Sequence, residues 1–249
     1  MSIRTSLIAS LIGCALVQGA GAQDAKKPPP TEFSGDLGLV AVSGNTTVST
    51  FNVNEKLIRR IAKWEFKQDL GSVYGKTDGV ESSNLVRAGA RADYTLAEHW
   101  ALYALTAYDR NKFAGVKARF AEGLGGAAKI IANDVNQLNL EAGYQLTQQQ
   151  NVTGPDDNFS ALRIASTWKH AFTKAAYFFE GIEYLPNLED HDDYRINNET
   201  SVVAPLSSHV GIKFSYVVRF ANSPPPNAAG TGLLRKVDRI LSTGIQVTF

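Results

Sequence analysis

The sequence predicts a transmembrane antiparallel up-and-down β-barrel of about twelve strands, and three observations carry that prediction. Apolar and polar residues alternate with period two through many segments, the last running up to the terminal Phe249. The connections between these segments are short and long in turn. Aromatic residues collect near both ends of the segments, as they do at the two faces of a bilayer. A tilted strand crosses the hydrocarbon with about ten residues and shows lipid only one face, so no long apolar run is needed.

The chain opens with Arg4, an apolar run from Leu7 to Val17, and the small-residue site Ala20-Gly21-Ala22. This pattern reads as a secretory signal peptide over residues 1–22. The run is interrupted by Ser10, Gly13 and Cys14 and is too short for a membrane helix. Leu11-Ile12-Gly13-Cys14 also has the form of a lipoprotein box, but cleavage there would leave Ala15-Leu16-Val17 on the mature chain. The non-lipidated reading is therefore preferred. Cleavage after Ala22 removes the only cysteine, so neither a disulfide nor a thiolate nucleophile is expected. Residues 23–32, with Lys26, Lys27 and the prolines to Pro30, form a solvated periplasmic leader.

The barrel is expected over 33–249. Its first segments are Phe33 to Val42, Val48 to Arg60, Trp64 to Tyr74, Leu85 to Leu96, Trp100 to Arg110 and Lys117 to Ile131. Six more follow: Gln137 to Thr147, Phe159 to His170, Ala175 to Leu185, Tyr194 to Ala204, Val210 to Phe220 and Val237 to Phe249. The clearest is the fourth, where Val86, Ala88, Ala90, Ala92, Tyr94 and Leu96 alternate with Leu85, Arg87, Gly89, Arg91, Asp93 and Thr95. Two segments resist assignment of their faces. In 48–60, Glu55 and Arg59 share parity with Phe51, Val53 and Leu57, which suggests a bulge or an extramembrane strand end. In 175–185 aromatics occupy both parities.

Short turns are expected at 61–63, 97–99, 132–136, 171–174 and 205–208, and longer loops at 75–83, 111–116, 148–158, 186–192 and 221–236. An even strand number with alternating connections places both termini on the periplasmic side of an outer membrane. Trp64, Tyr94, Trp100, Trp168 and Phe172 then fall at the periplasmic ends, and Tyr74, Tyr108, Phe113, Phe159, Tyr184 and Phe220 at the opposite ends. In the last strand Ile245, Val247 and Phe249 share the lipid parity, which makes them a candidate signal for the barrel-assembly machinery.

The net charge of +1 gives no basic surface for nucleic acid. No catalytic constellation is visible, and no enzymatic activity, cofactor or metal is expected. His99, His170 and His209 fall at predicted periplasmic turns, and only His191 lies outside. Its neighbours Glu189, Asp190, Asp192 and Asp193, like Asp156 and Asp157, read as solvated acidic loops.

The interior parity is more informative. Lys67, Arg87, Arg91, Asp93, Arg119, Glu141, Arg163, Arg195, Glu199, Lys213, Arg219 and Asp238 fall on it, together with Asp69, Lys117 and Lys169, and bases outnumber acids. Two functions fit. One is a narrow channel for small hydrophilic or anionic solutes, with low-dielectric walls focusing the field of Arg87, Arg91 and their neighbours. The other is a closed structural or surface-interaction barrel filled by ion pairs. Outer-membrane lipid and lipopolysaccharide are partners in either case.

Gly35-Asp36-Leu37-Gly38, Ser43-Gly44-Asn45-Thr46, Ala107-Tyr108-Asp109-Arg110 with Phe113-Ala114-Gly115, and Glu122-Gly123-Leu124-Gly125-Gly126 resemble the YdiY-like family, whose label is salt-induced outer-membrane proteins. The resemblance implies an outer-membrane barrel over the whole mature chain, and a link to salt or osmotic stress by label alone. No activity is assigned to that family, so no site residue is carried over from it.

Overall fold

The computed structural model describes residues 29–42, 48–226 and 231–248. The signal peptide, Cys14, most of the leader, the Ser43 to Thr46 turn and Phe249 lie outside the described residues. Twelve antiparallel strands close into one barrel in which each strand pairs with its sequence neighbours and β1 pairs with β12. The strands are β1 Thr31–Val42, β2 Val48–Ile61, β3 Trp64–Thr77, β4 Val80–Ala97, β5 Trp100–Asn111 and β6 Val116–Ala132. They continue with β7 Asn136–Asn151, β8 Asp157–Ala171, β9 Tyr177–Pro186, β10 Tyr194–Pro205, β11 Val210–Ala221 and β12 Val237–Thr248.

The ladder of register partners, followed once around the barrel, returns to β1 displaced by about sixteen residues, which tilts the strands by about 45° and sets a backbone radius of about 12 Å. Register shifts occur only near strand ends, at Gly75/Lys76, Thr95/Ala97, Asp109/Asn111, Val116/Ala118 and Lys129/Ile131. Between them period two holds unbroken, so side-chain facing follows from parity.

The outer face is apolar. Leu39, Leu70, Leu102, Leu124, Leu146, Ile164, Ile182, Phe214 and Leu241 are all exposed, Leu241 at 77 %. A soluble protein does not leave a continuous belt of this kind in water. Aromatic clusters rim it: Trp64 packs on Tyr94 at 4.9 Å and Trp168 on Phe178 at 5.6 Å at the short-turn end. Tyr108 packs on Phe120 at 5.0 Å and Tyr194 on Phe220 at 5.5 Å at the other.

Three expectations change. The loop expected at 75–83 is mostly strand, because β3 and β4 continue to a two-residue turn at Asp78 (φ 49°) and Gly79 (φ 80°). Positive φ at both positions matches the right-handed twist of a hairpin, and Asp-Gly is the sequence that adopts it at least cost. Likewise β7 runs to Asn151 and β8 begins at Asp157, so part of the expected loop-length difference is strand extending beyond the aromatic rim. At the other end β1 begins at Thr31, two residues inside the expected leader, and the Arg60 N–H donates to the Pro30 carbonyl at 2.8 Å.

The two ambiguous strands are settled by pairing. No register shift interrupts β2. Asn54 stands opposite Gly71, Lys56 opposite Asp69 and Ile58 opposite Lys67, so these face the lumen, while Glu55 and Arg59 lie on the outer face. Gln68 donates to the Glu55 carboxylate there at 3.3 Å, giving that outward charge a partner. In β9, Phe179, Gly181, Glu183 and Leu185 face inward; Phe179 lies over Gly181, 3.3 Å from where a Cβ would stand. Aromatics occupy both parities because a glycine beside the inward ring makes room for it.

Candidate functional site

The lumen is lined by charged side chains, and their partners follow from strand register. One network runs along β3, β4, β7, β8 and β9. Lys67 meets Glu65 at 2.9 Å and Asp93 at 3.3 Å; Arg91 meets Asp93 at 2.6 Å and Glu141 at 2.7 Å. Arg163 continues the chain, to Glu141 at 2.6 Å and Glu183 at 2.7 Å. Tyr103 is wedged between the two arginines, its ring 4.1 Å from the Arg91 guanidinium carbon and 5.4 Å from that of Arg163. Its hydroxyl accepts from Arg163 at 3.1 Å.

Tyr103 lies flat because its neighbours are glycines. Gly125 is its register partner on β6, and Gly143 stands opposite Gly125 on β7. A Cβ at either position would come within 2.6 Å of the Tyr103 hydroxyl. The same device recurs where Asp69 covers Gly89 and Asn52 covers Gly38. Side chains laid along the wall leave the axis clearer than side chains pointing at it.

A second network lies on the wall of β10 to β1. Lys213 bridges Asp36 at 2.8 Å and Glu199 at 3.7 Å, and Tyr177 donates to Gln246 at 3.0 Å. The third spans the lumen. Asp109 on β5 accepts from Arg219 on β11 at 3.1 Å and meets Arg119 on β6 at 3.5 Å. In the twelve-strand ring β5 and β11 stand on opposite sides, so this contact crosses the barrel. Near it, Arg195 packs over the Phe159 ring at 4.4 Å and lies 3.9 Å from Asp157.

The described parts of the β11–β12 loop, 222–226 and 231–236, reach over this level. A Cβ at Gly115, in the turn between β5 and β6, would meet the Leu234 side chain at 2.7 Å and Pro225 at 3.0 Å. Gly154, between β7 and β8, lies under Pro226. The loop is tied down by Asn222, which donates to the Asp192 carbonyl at 2.6 Å, and by an isolated bridge between Pro226 and Leu233. Leu85, Val116 and Phe159 are buried near this end of the barrel, Phe159 under Arg195.

Each interior residue named from the sequence has a definite place in this arrangement. Lys67, Arg91, Asp93, Glu141 and Arg163 form one network; Glu199 and Lys213 belong to the second; Arg119, Arg195 and Arg219 belong to the level near the long-loop end. Arg87 and Asp238 stand beside Asp109 and Arg219 in register without closing an ion pair. Lys169 rests on the Tyr177 ring at 4.5 Å, and Lys117 falls where the β6–β7 register shifts. Ile245 and Val247 are on the outer face, paired with Leu37 and Gly35. The acids Asp36, Glu65, Asp109 and Glu183 were missed, and they compensate most of the apparent excess of bases. Glu65 shares the parity of Lys67 and was legible; Asp109 sits on a strand apolar on both faces, where parity carries no mark. Among the described residues no group of three or more His, Cys, Asp and Glu side chains is placed to hold a metal.

Known proteins are similar to this chain in sequence or in fold. The "Uncharacterized protein YdiY" of Escherichia coli (strain K12) is 21 % identical over 211 residues, covering 82 % of this chain and 79 % of that protein. The NanC porin structure covers 87 % of this chain and 97 % of its own, with a TM-score of 0.50 and 9 % identity. The translocator domain of the autotransporter NalP from Neisseria meningitidis covers 90 % and 89 %, with a TM-score of 0.47 and 12 % identity. The porin likeness concerns the fold alone. A family model described as protein of unknown function, DUF481, matches residues 35–249, and the chain belongs to that family.

Proposed function

We propose that this chain is an outer-membrane barrel forming a narrow diffusion channel for small hydrophilic solutes, with a preference for anions, and that it carries no enzymatic activity. The long-loop end faces outward and both termini lie in the periplasm, with lipopolysaccharide packed against the outer half of the apolar belt. Ile245, Val247 and Phe249 then form the terminal signal read during barrel assembly. The observation that carries the channel reading is the lumen: inward groups such as Lys56 and Asp69 remain solvent-exposed, and Tyr103, which is buried, packs against the glycines of the wall. A barrel closed by a dry core would bury its central side chains.

A second reading, a non-conducting envelope barrel, draws support from the Asp109–Arg219 contact across the outer third and from the loop above it. Single-channel recording in planar bilayers separates the two. The channel reading expects small, discrete conductance steps, larger in Asp109→Ala because the cross-lumen contact is gone. No current from heat-modifiable, folded wild-type and Asp109→Ala protein would sink it.

A further inference from the structure

One guanidinium at the outer level stands apart from the compensated networks. Gly71, Arg87, Asp109, Arg119 and Gln149 are successive register partners across β3 to β7. Arg87 therefore starts directly opposite Asp109, the placement that ordinarily yields a cross-strand ion pair. The pair does not form, because both carboxylate oxygens are engaged elsewhere: Oδ1 by Arg219 from the far wall, Oδ2 by Arg119. Arg87 has no carboxylate oxygen within salt-bridge distance among the described residues. Its Nε lies along the wall, 3.8 Å from where a Cβ at Gly71 would stand.

The surrounding charge does not close an ion pair with this arginine: Asp69, one strand away on β3, is laid over Gly89 instead. Arg87 and Arg219 act on each other as like charges. Asp238, register partner of Arg219, is the remaining carboxylate at this level on the far wall and closes no ion pair. Arg91, deeper in the barrel, is the opposite case. Its guanidinium is held by Asp93 and Glu141 and covered by the Tyr103 ring.

We infer that Arg87 and Arg219 form a binding site for a compact oxyanion, a carboxylate or a phosphate, and that Arg87, not Arg91, sets the charge preference of the lumen. A guanidinium presents a planar fork that fits such oxyanions with two parallel hydrogen bonds. The incoming anion takes the place of Asp109 on Arg219 and engages Arg87 at the same time, so the contact that narrows the lumen is exchanged for one with the solute. The charge-preference half rests on the channel reading; the binding half does not.

The test uses the mature barrel refolded in lipid, as wild type, Arg87→Gln, Arg87→Lys and Arg91→Gln. In planar bilayers under a KCl gradient, Arg87→Gln lowers the chloride-over-potassium permeability ratio about sixteenfold, because one charge at ~5 Å in near-aqueous surroundings acts about fourfold on each ion and with opposite sign on the two. Arg91→Gln changes it by far less. Inorganic phosphate raises the temperature of heat-modified migration for wild type and not for Arg87→Gln. Arg87→Lys, which keeps the charge and loses the fork, retains the permeability ratio and loses most of the phosphate effect. Arg91→Gln shifting selectivity as much as Arg87→Gln, or a phosphate effect undiminished in Arg87→Gln, overturns the inference. If folded wild-type protein passes no current, the channel reading fails separately and the phosphate comparison decides the site.

Discussion

Gly125 and Gly126 are adjacent on β6, and the structure assigns them opposite responses to the same substitution. Gly125 faces inward. A Cβ there would stand 2.4 Å from the Ala142 carbonyl oxygen, 2.6 Å from the Tyr103 hydroxyl and 2.7 Å from the Gly143 Cα. Two of the three are backbone atoms of β7, so a side-chain rotation cannot relieve the contact. Forcing a methyl group into a packed site costs about 1–3 kcal/mol, and replacing a strand glycine returns about 0.5 kcal/mol through lower chain entropy. Gly126 faces outward with no atom within 4 Å of a Cβ, so it keeps the gain without the clash. Gly125→Ala should therefore be less stable than Gly126→Ala by about 2 kcal/mol, roughly thirtyfold in the unfolding equilibrium. Equilibrium urea unfolding of barrels refolded in vesicles, read by heat-modifiable migration, measures the difference. Tyr103→Phe in the Gly125→Ala background removes only the hydroxyl and should recover little. Variants within 0.5 kcal/mol of each other, or full recovery by Tyr103→Phe, would refute the close approach of β6 and β7 at this point.

Other substitutions probe separate parts of the barrel. Glu141→Gln leaves Arg91 and Arg163 without their shared carboxylate; because both retain some water, the loss is about 2 kcal/mol, below that of a fully buried pair, and a change under 0.5 kcal/mol in the same titration would contradict the network. Glu122, between Thr106 and Leu146 on the outer face, is an exposed carboxylate in the apolar belt. Glu122→Leu should stabilise the barrel in lipid by about 1 kcal/mol, and destabilisation would place that face against a polar partner instead. Gly115→Ala combines a φ of 76° with a contact against Leu234. It should loosen the β11–β12 loop by about 1–2 kcal/mol, read as faster limited proteolysis within 222–236, with unchanged proteolysis refuting the packing.

Parity shows which face is inward where one face is marked by charge. In β4, β7, β10 and β11 Arg91, Glu141, Glu199 and Lys213 each stand among apolar alternates, which marks one parity as inward. Parity carries no such mark in β2, where Glu55 faces outward beside Gln68, or in β9, where Phe179 faces inward over Gly181. Both depend on a neighbour that supplies a hydrogen bond or a space, and a strand considered alone does not show it. The Asp78-Gly79 turn was legible and was passed over: the dipeptide is the strongest short hairpin signal, yet the surrounding Gly, Lys and Ser read as loop.

Strand number, the closing pair of β1 and β12, and the facing of most side chains were determined by the sequence itself, since period two and the apolar belt are local properties that a bilayer enforces strand by strand. Charge compensation was decided by tertiary structure. Arg219 meets Asp109 across 110 residues of sequence and the full width of the barrel. Arg87, directly opposite Asp109 in register, is left without a carboxylate for that reason. An excess of bases counted along the chain therefore becomes, in three dimensions, paired networks beside a few cations that close no ion pair, Arg87 among them, because Coulombic pairing depends on barrel closure and shear, which bring distant strands to the same height.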